Sequence, residues 1–283
     1  MRNSRIQALG LAALLLAAAC DDLTTVPAAA NAPVVGEGEK VLGTVTCHVD
    51  MVAETTRCGE PAPLGASATR VTLNTSQFGL VISPSFYDAA NQRQHYFTGI
   101  RNDIGQRIGT HNGINSDSTR AFVTNITVTG GSGSVTVNNP TGYKTHTAPN
   151  QPYWEYYEVV EPTETTGATP DWIFNVPSTV TSWTYTVSVS TPVQHPNGWV
   201  AVTGNTSIPH SGTQNHVAVV YDWTGAVVNS GSVSWSSSDG SGSVYVSPWD
   251  ERNGTVLGVR IGTATVTASF GSATPKVYGV TVS

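Results

Sequence analysis

Three cysteines restrict the chemistry of this 283-residue chain more than any other residues: Cys20, Cys47 and Cys58. A thiol can be acylated, can pair as a disulfide or can ligate a metal, and an odd count leaves one thiol outside any internal pairing. Cys47 and Cys58 bracket the stretch TCHVDMVAETTRC. An oxidising compartment would pair them, and closing a loop of this length adds ~2–3 kcal/mol in the chain-entropy model. A metal site built from Cys47, His48 and Cys58 fits no zinc-ligand spacing, and on a strand His48 points away from Cys47. The expectation is a Cys47–Cys58 disulfide, with no metal and no cofactor.

Other residue types that do chemistry are present without the spacing that chemistry needs. His48, His95, His111, His146, His195, His210 and His216 are scattered, mostly beside Gly, Pro, Asn or Thr, and read as solvated surface. Neither a G-x-S-x-G nucleophile elbow, a P-loop, a dinucleotide fingerprint nor an EF-hand pattern occurs in the sequence. Glu155, Glu158, Glu161 and Glu164 recur every third residue, a spacing that does not converge on a strand. Only 11% of residues are charged and the formal charge is −6, with no basic cluster, so nucleic acid is not an expected partner. The chain reads as non-enzymatic.

One aromatic cluster remains. Tyr153-Trp154-Glu155-Tyr156-Tyr157 places four rings in five positions. On a strand, alternate rings take opposite faces. An exposed face would offer Trp154 with Tyr156, or Tyr153 with Tyr157, as a flat platform beside a carboxylate. Such a platform suits a sugar ring or a partner's surface. The reading that needs no ligand is preferred: the inward pair is core and the outward pair shields an edge.

The first residues address the chain. Arg2 and Arg5 precede an apolar run, Ala8 to Ala19, and small residues stand immediately before Cys20 in LLLAAACDD. This arrangement resembles the lipobox of bacterial lipoproteins, with Ala17 where leucine is preferred. The resemblance implies cleavage before Cys20 and a diacylglycerol thioether on it. Three acyl chains would anchor it stably, at ~0.8 kcal/mol per buried CH₂. The alternative is an ordinary signal peptide cut nearby, with Cys20 incidental. Residues 1–19 are thus expected to be a signal peptide. Residues 20–40, rich in Ala, Pro, Thr and Gly, are expected to be a lipidated flexible tether. The location expected is the bacterial cell envelope, at either membrane. The partners expected are the lipid bilayer and a surface glycan or another envelope protein.

The elements that must position these residues read as strands throughout. Gly (28) and Pro (16) punctuate short apolar runs, as tight β-turns require. In GTATVTASF, Ala264, Val266, Ala268 and Phe270 share one face; in TSWTYTVSVS, Trp183, Tyr185, Val187 and Val189 do. From residue 198 onward, Ser211-Gly212-Thr213, VAVVYDWTGAVV, Val233-Ser234-Trp235-Ser236-Ser237-Ser238-Asp239, GTVLGVRIGTATVTASF and Val280-Thr281-Val282 follow in order. This order resembles the bacterial immunoglobulin-like domain, group 2. The segment SPWDERNG (247–254) is longer and more polar than that family's usual turn. The resemblance implies an Ig-like sandwich at the bacterial surface, a spacer or adhesion module. The fold class expected is all-β with two sandwiches, 41–192 of unrecognised family and 198–283 Ig-like, joined through TPVQHPNG (191–198).

Overall fold

The computed structural model describes residues 38–59, 71–72 and 77–283. Cys20, the expected signal peptide and nearly all of the expected tether lie outside the described residues. The first half of the described chain contains β1 (Glu39–Asp50), β2 (Thr55–Cys58), β3 (Val71–Thr72), β4 (Phe78–Asp88), β5 (Arg93–Asn102) and β6 (Ser118–Gly131). It continues through β7 (Thr136–Val137), β8 (Gly142–Lys144), β9 (Gln151–Tyr157), β10 (Asp171–Asn175) and β11 (Val180–Pro192). The second half contains β12 (Trp199–Thr203), β13 (Ser207–Ile208), β14 (Thr213–Tyr221) and β15 (Ser234–Asp239). It ends with β16 (Ser243–Pro248), β17 (Asn253–Arg260), β18 (Gly262–Ser269) and β19 (Lys276–Val282). No helix occurs among the described residues.

The fold is all-β, with four sheets packed as sandwiches. A six-stranded sheet, β2-β1-β11-β6-β9-β8, faces a five-stranded sheet, β3-β4-β5-β10-β7. Two four-stranded sheets, β12-β14-β17-β16 and β13-β19-β18-β15, form the second sandwich. Both strands singled out by their alternation bury the expected face, although β11 also buries Ser188 and Ser190 on its other side. Trp183, Tyr185, Val187 and Val189 are each fully buried, and Ala264, Val266 and Ala268 line the second core.

The two cores differ in character. Between the six- and five-stranded sheets lies an aromatic cluster. Trp154 stacks on Trp172 (4.5 Å, 7°), and Phe174 leans on Trp154, Trp183 and Tyr185. Each such side chain gains ~1.5–3 kcal/mol from full burial. The second core is aliphatic, built from Ile208, Val244, Val256, Ala264, Val266, Val280 and Val282. Trp235 joins it to a neighbouring cluster of Val200, Ala218, Val220, Val233 and Ala268.

Two boundaries differ from the sequence reading. Glu39 and Lys40, expected in the tether, already pair with Pro192 and Thr191 in the β1–β11 ladder. The Glu39 carboxylate is held there by Arg120 Nη1 at 3.0 Å and by the Ser190 hydroxyl at 3.3 Å. Thr191 and Pro192, expected to begin the joint, continue β11, because Pro192 occupies a strand end where its missing N–H costs nothing.

Candidate functional site

Strand β9 carries the aromatic cluster. Its Tyr153 pairs with Phe122, Trp154 with Ala121, Glu155 with Arg120 and Tyr156 with Thr119. This register sends Trp154 (2% exposed) and Tyr156 (1%) into the core. The Trp154 indole donates to the Asn139 carbonyl (3.0 Å), and the Tyr156 hydroxyl donates to the Thr98 carbonyl (2.8 Å). Burial pushes the Tyr156 hydroxyl well above its ordinary pKa. The pair Trp154 and Tyr156 therefore cannot form a platform, since both rings are spent on the core. Tyr157 is exposed (68%) and Tyr153 half-buried on the opposite face.

Beside Tyr153 the outer face of the six-stranded sheet holds an ion cluster. Arg120 meets Glu39 at 3.0 Å and Glu155 at 3.2 Å, and its guanidinium lies 5.7 Å from the Tyr153 ring centroid. The Glu155 contact is an ion pair without hydrogen-bond alignment. One cation thus binds β1, β6 and β9 together. The other acids of the every-third series go separate ways: Glu158 accepts the Gly167 and Ala168 amides, and Glu161 pairs with Arg107.

The histidines divide, and two of them correct the sequence reading. His48 is exposed and opposite in facing to the buried Cys47, and Cys47 and Cys58 are joined as a disulfide across the β1–β2 pair. His146 and His216, expected in solvent, are buried. His146 stacks on Phe122 (4.3 Å, 4°), and its Nε2 lies 2.9 Å from the Ser188 hydroxyl. A histidine–serine contact is the geometry of an activated nucleophile. Ser188 (0%) and His146 (1%) are both sealed from solvent, so no substrate reaches them. His216 sits between the Tyr278 hydroxyl at Nδ1 and the Asn205 carbonyl, 3.1 Å from Nε2. Burial lowers its pKa.

A cavity of about 400 Å³ opens between the β1–β2 turn and β4, lined by Asp50, Glu54, Thr56, Phe86 and Gln94. Asp50 Oδ1 is occupied by the Val52 and Ala53 amides at 2.9 Å, which shape the turn. Among the described residues no three His, Cys, Asp or Glu side chains group as metal ligands.

A joint between the sandwiches is held by side-chain and backbone hydrogen bonds, which composition did not suggest. Asn102 shapes the loop after β5, donating to the Gln106 and Val160 carbonyls (2.8 and 3.0 Å) and accepting the Ile104 amide. Gln106, 5% exposed, then accepts the His195 amide at 2.8 Å and donates to the carbonyls of His195 and Trp223. From the other side comes the turn after β14. Asp222 Oδ1 fixes it by accepting the Thr224 amide (2.8 Å), the Thr224 hydroxyl (2.6 Å) and the Ala226 amide (3.1 Å). The Gly105 amide donates to the Thr224 carbonyl at 2.6 Å. Trp223 packs against the first core, with Lys40 Nζ 5.7 Å from its ring centroid.

No protein-family model and no curated protein matches the chain. A crystal structure of envelope protein VP37 from White Spot Syndrome Virus is similar at 9% identity and a TM-score of 0.23. That similarity covers 54% of this chain and 97% of the viral one.

Proposed function

We propose that the chain is an exported, lipid-anchored protein of the bacterial cell envelope, non-enzymatic, in which two sandwiches act as a rigid spacer and binding module. The observation that carries this reading is the joint. A turn of one sandwich meets a loop of the other: Gln106, itself buried, donates to the Trp223 carbonyl, and the Gly105 amide donates to the Thr224 carbonyl. A spacer transmits reach only when its modules hold a fixed angle, and the hydrogen bonds of a buried side chain across the joint oppose relative motion.

Export is supported by the Cys47–Cys58 disulfide, a bond that persists in oxidising compartments. The anchor is supported by Arg2, Arg5, the apolar run and Cys20 in sequence. The group 2 bacterial immunoglobulin-like reading of residues 198–283 is supported by the order of its motifs on β14 to β19. The non-enzymatic reading is supported by the sealing of the His146–Ser188 pair and by the dispersal of the acids onto separate partners.

Metabolic labelling with radioactive palmitate in a bacterial host tests the anchor. Label on the wild-type chain and none on Cys20→Ala is expected. Label on both, or on neither, overturns it.

A further inference from the structure

The sheet β12-β14-β17-β16 buries one face on the second core and turns the other to solvent. Register fixes what that outer face displays. Tyr245 pairs with Leu257, which pairs with Thr213; Ser247 pairs with Thr255, which pairs with Asn215. The Trp249 amide donates to the Asn253 carbonyl at 3.1 Å, and Asn253 pairs with Val217. Three rows result: one led by Tyr245, one of hydroxyls and an amide, and one led by Trp249.

Both rings are open. Tyr245 is 62% and Trp249 59% exposed, although aromatics of this size gain most from burial. They stand four residues apart, Tyr245 on β16 and Trp249 one residue past its end, about 13 Å at strand rise. In the row between them the Thr255 hydroxyl lies 3.1 Å from the Asn215 carboxamide oxygen and donates to it. Asn215 is exposed, and that bond uses its oxygen alone. None of the nine positions in the three rows is charged.

The segment that presents Trp249 is rigid. Asp250 Oδ1 accepts the Arg252 and Asn253 amides, both at 2.7 Å, and Oδ2 accepts the Asn253 side-chain amide. Arg252 clamps the segment from beneath: Nη2 donates to the Val228 and Ser230 carbonyls at 2.8 Å, and its guanidinium lies over Phe270. The Val233 amide donates to the Glu251 carbonyl and the Ala218 amide to that of Arg252. SPWDERNG, longer and more polar than the turn its resemblance implies, is a built pedestal for one ring. Held in place, that backbone loses little entropy on contact with a ligand.

We infer that this outer face binds an extended, uncharged polysaccharide. Tyr245 and Trp249 stack on apolar sugar faces, and Ser247, Thr255 and Asn215 meet hydroxyls between them. The absence of charge within the three rows matches a neutral chain. The inference deepens the reading of the chain as a binding module but is independent of its lipid anchor.

Isothermal titration of the full chain, carrying Cys20→Ala to keep it in solution, with cellohexaose, chitohexaose and heparin tests it. Binding of a neutral hexaose and not of heparin is expected. Trp249→Ala and Tyr245→Ala should each weaken binding about tenfold, and the double variant should abolish it. Tyr157→Ala, in the other sandwich, should bind as wild type. Both rings are exposed, so the variants keep the wild-type thermal midpoint, which checks folding. No neutral binding by wild type, preference for heparin, or undiminished binding by the double variant overturns the inference. Palmitate labelling that failed in a chain that still bound would remove the anchor alone.

Discussion

Gly225 sits backbone against backbone on Gly105: a Cβ at position 225 would lie 2.6 Å from the Gly105 Cα. The φ of Gly225, 90°, is also one that side chains oppose, and Gly105 in turn lies close under the Thr224 carbonyl. These two glycines, far apart in sequence, let the Asp222–Ala226 turn enter the loop after β5. Gly225→Val is expected to cost ~1–3 kcal/mol by overpacking and to separate the sandwiches without unfolding either. Limited proteolysis should show new cleavage near residues 193–198 of the variant, with each half surviving.

Gln106 makes its three hydrogen bonds from a buried position, so Gln106→Ala leaves the His195 amide and the Trp223 carbonyl without that partner, while the His195 carbonyl still accepts the Gly198 amide. Each unsatisfied group costs ~1–3 kcal/mol. A urea melt followed by fluorescence is expected to show a lower midpoint, with the joint yielding before either core.

Acid should weaken the second sandwich. Burial lowers the His216 pKa below its ordinary 6.5, so the unfolded chain binds a proton there at a pH where the folded one does not. Stability from this group is therefore full above pH 6.5 and falls as pH drops towards the folded pKa. His195, lowered by burial at the joint, acts in the same direction. Thermal melts between pH 7.5 and 5 should show a falling midpoint, and His216→Gln should flatten the slope. A midpoint that rose on acidification would contradict the assignment.

On β9, neighbouring rings should behave as opposites. Trp154→Ala removes a ring stacked on Trp172 and is expected to cost ~3–5 kcal/mol. Tyr157→Ala, at an exposed position, is expected to stay within ~0.5 kcal/mol of wild type. Chemical denaturation of the two variants measures both.

Reduction of Cys47–Cys58 opens a loop between residues eleven apart in sequence. The expected loss is ~2–3 kcal/mol, read as a lower urea midpoint in dithiothreitol, with Cys58→Ser behaving alike in either condition.

Strand periodicity made much of this architecture legible. β11 and β18 alternate so cleanly that their buried faces could be named in advance, because a period of two leaves only one choice of inward set. β9 alternates too, yet with rings at four of five positions its pattern does not say which pair faces in; Trp172 and Phe174 on β10 decide that. β1 was obscured where EKVLG begins with charge and Gly43 sits at a bulge in the β1–β11 register. His146 and His216 read as surface because their partners, Ser188 and Tyr278, lie 42 and 62 residues away. The joint was hidden for the same reason. Glycine at 105 and 225 looks like any turn residue until the two are brought together.

Whether the two sandwiches move as one rigid body is read by a spin-label distance measurement. In a Cys20→Ala background, Thr127→Cys and Ser236→Cys place one label on an exposed position of each sandwich. Pulsed electron–electron resonance should give a single narrow distance distribution, broadened when Gly225→Val is added. A broad distribution in the labelled protein without that change would contradict the proposed rigid spacer.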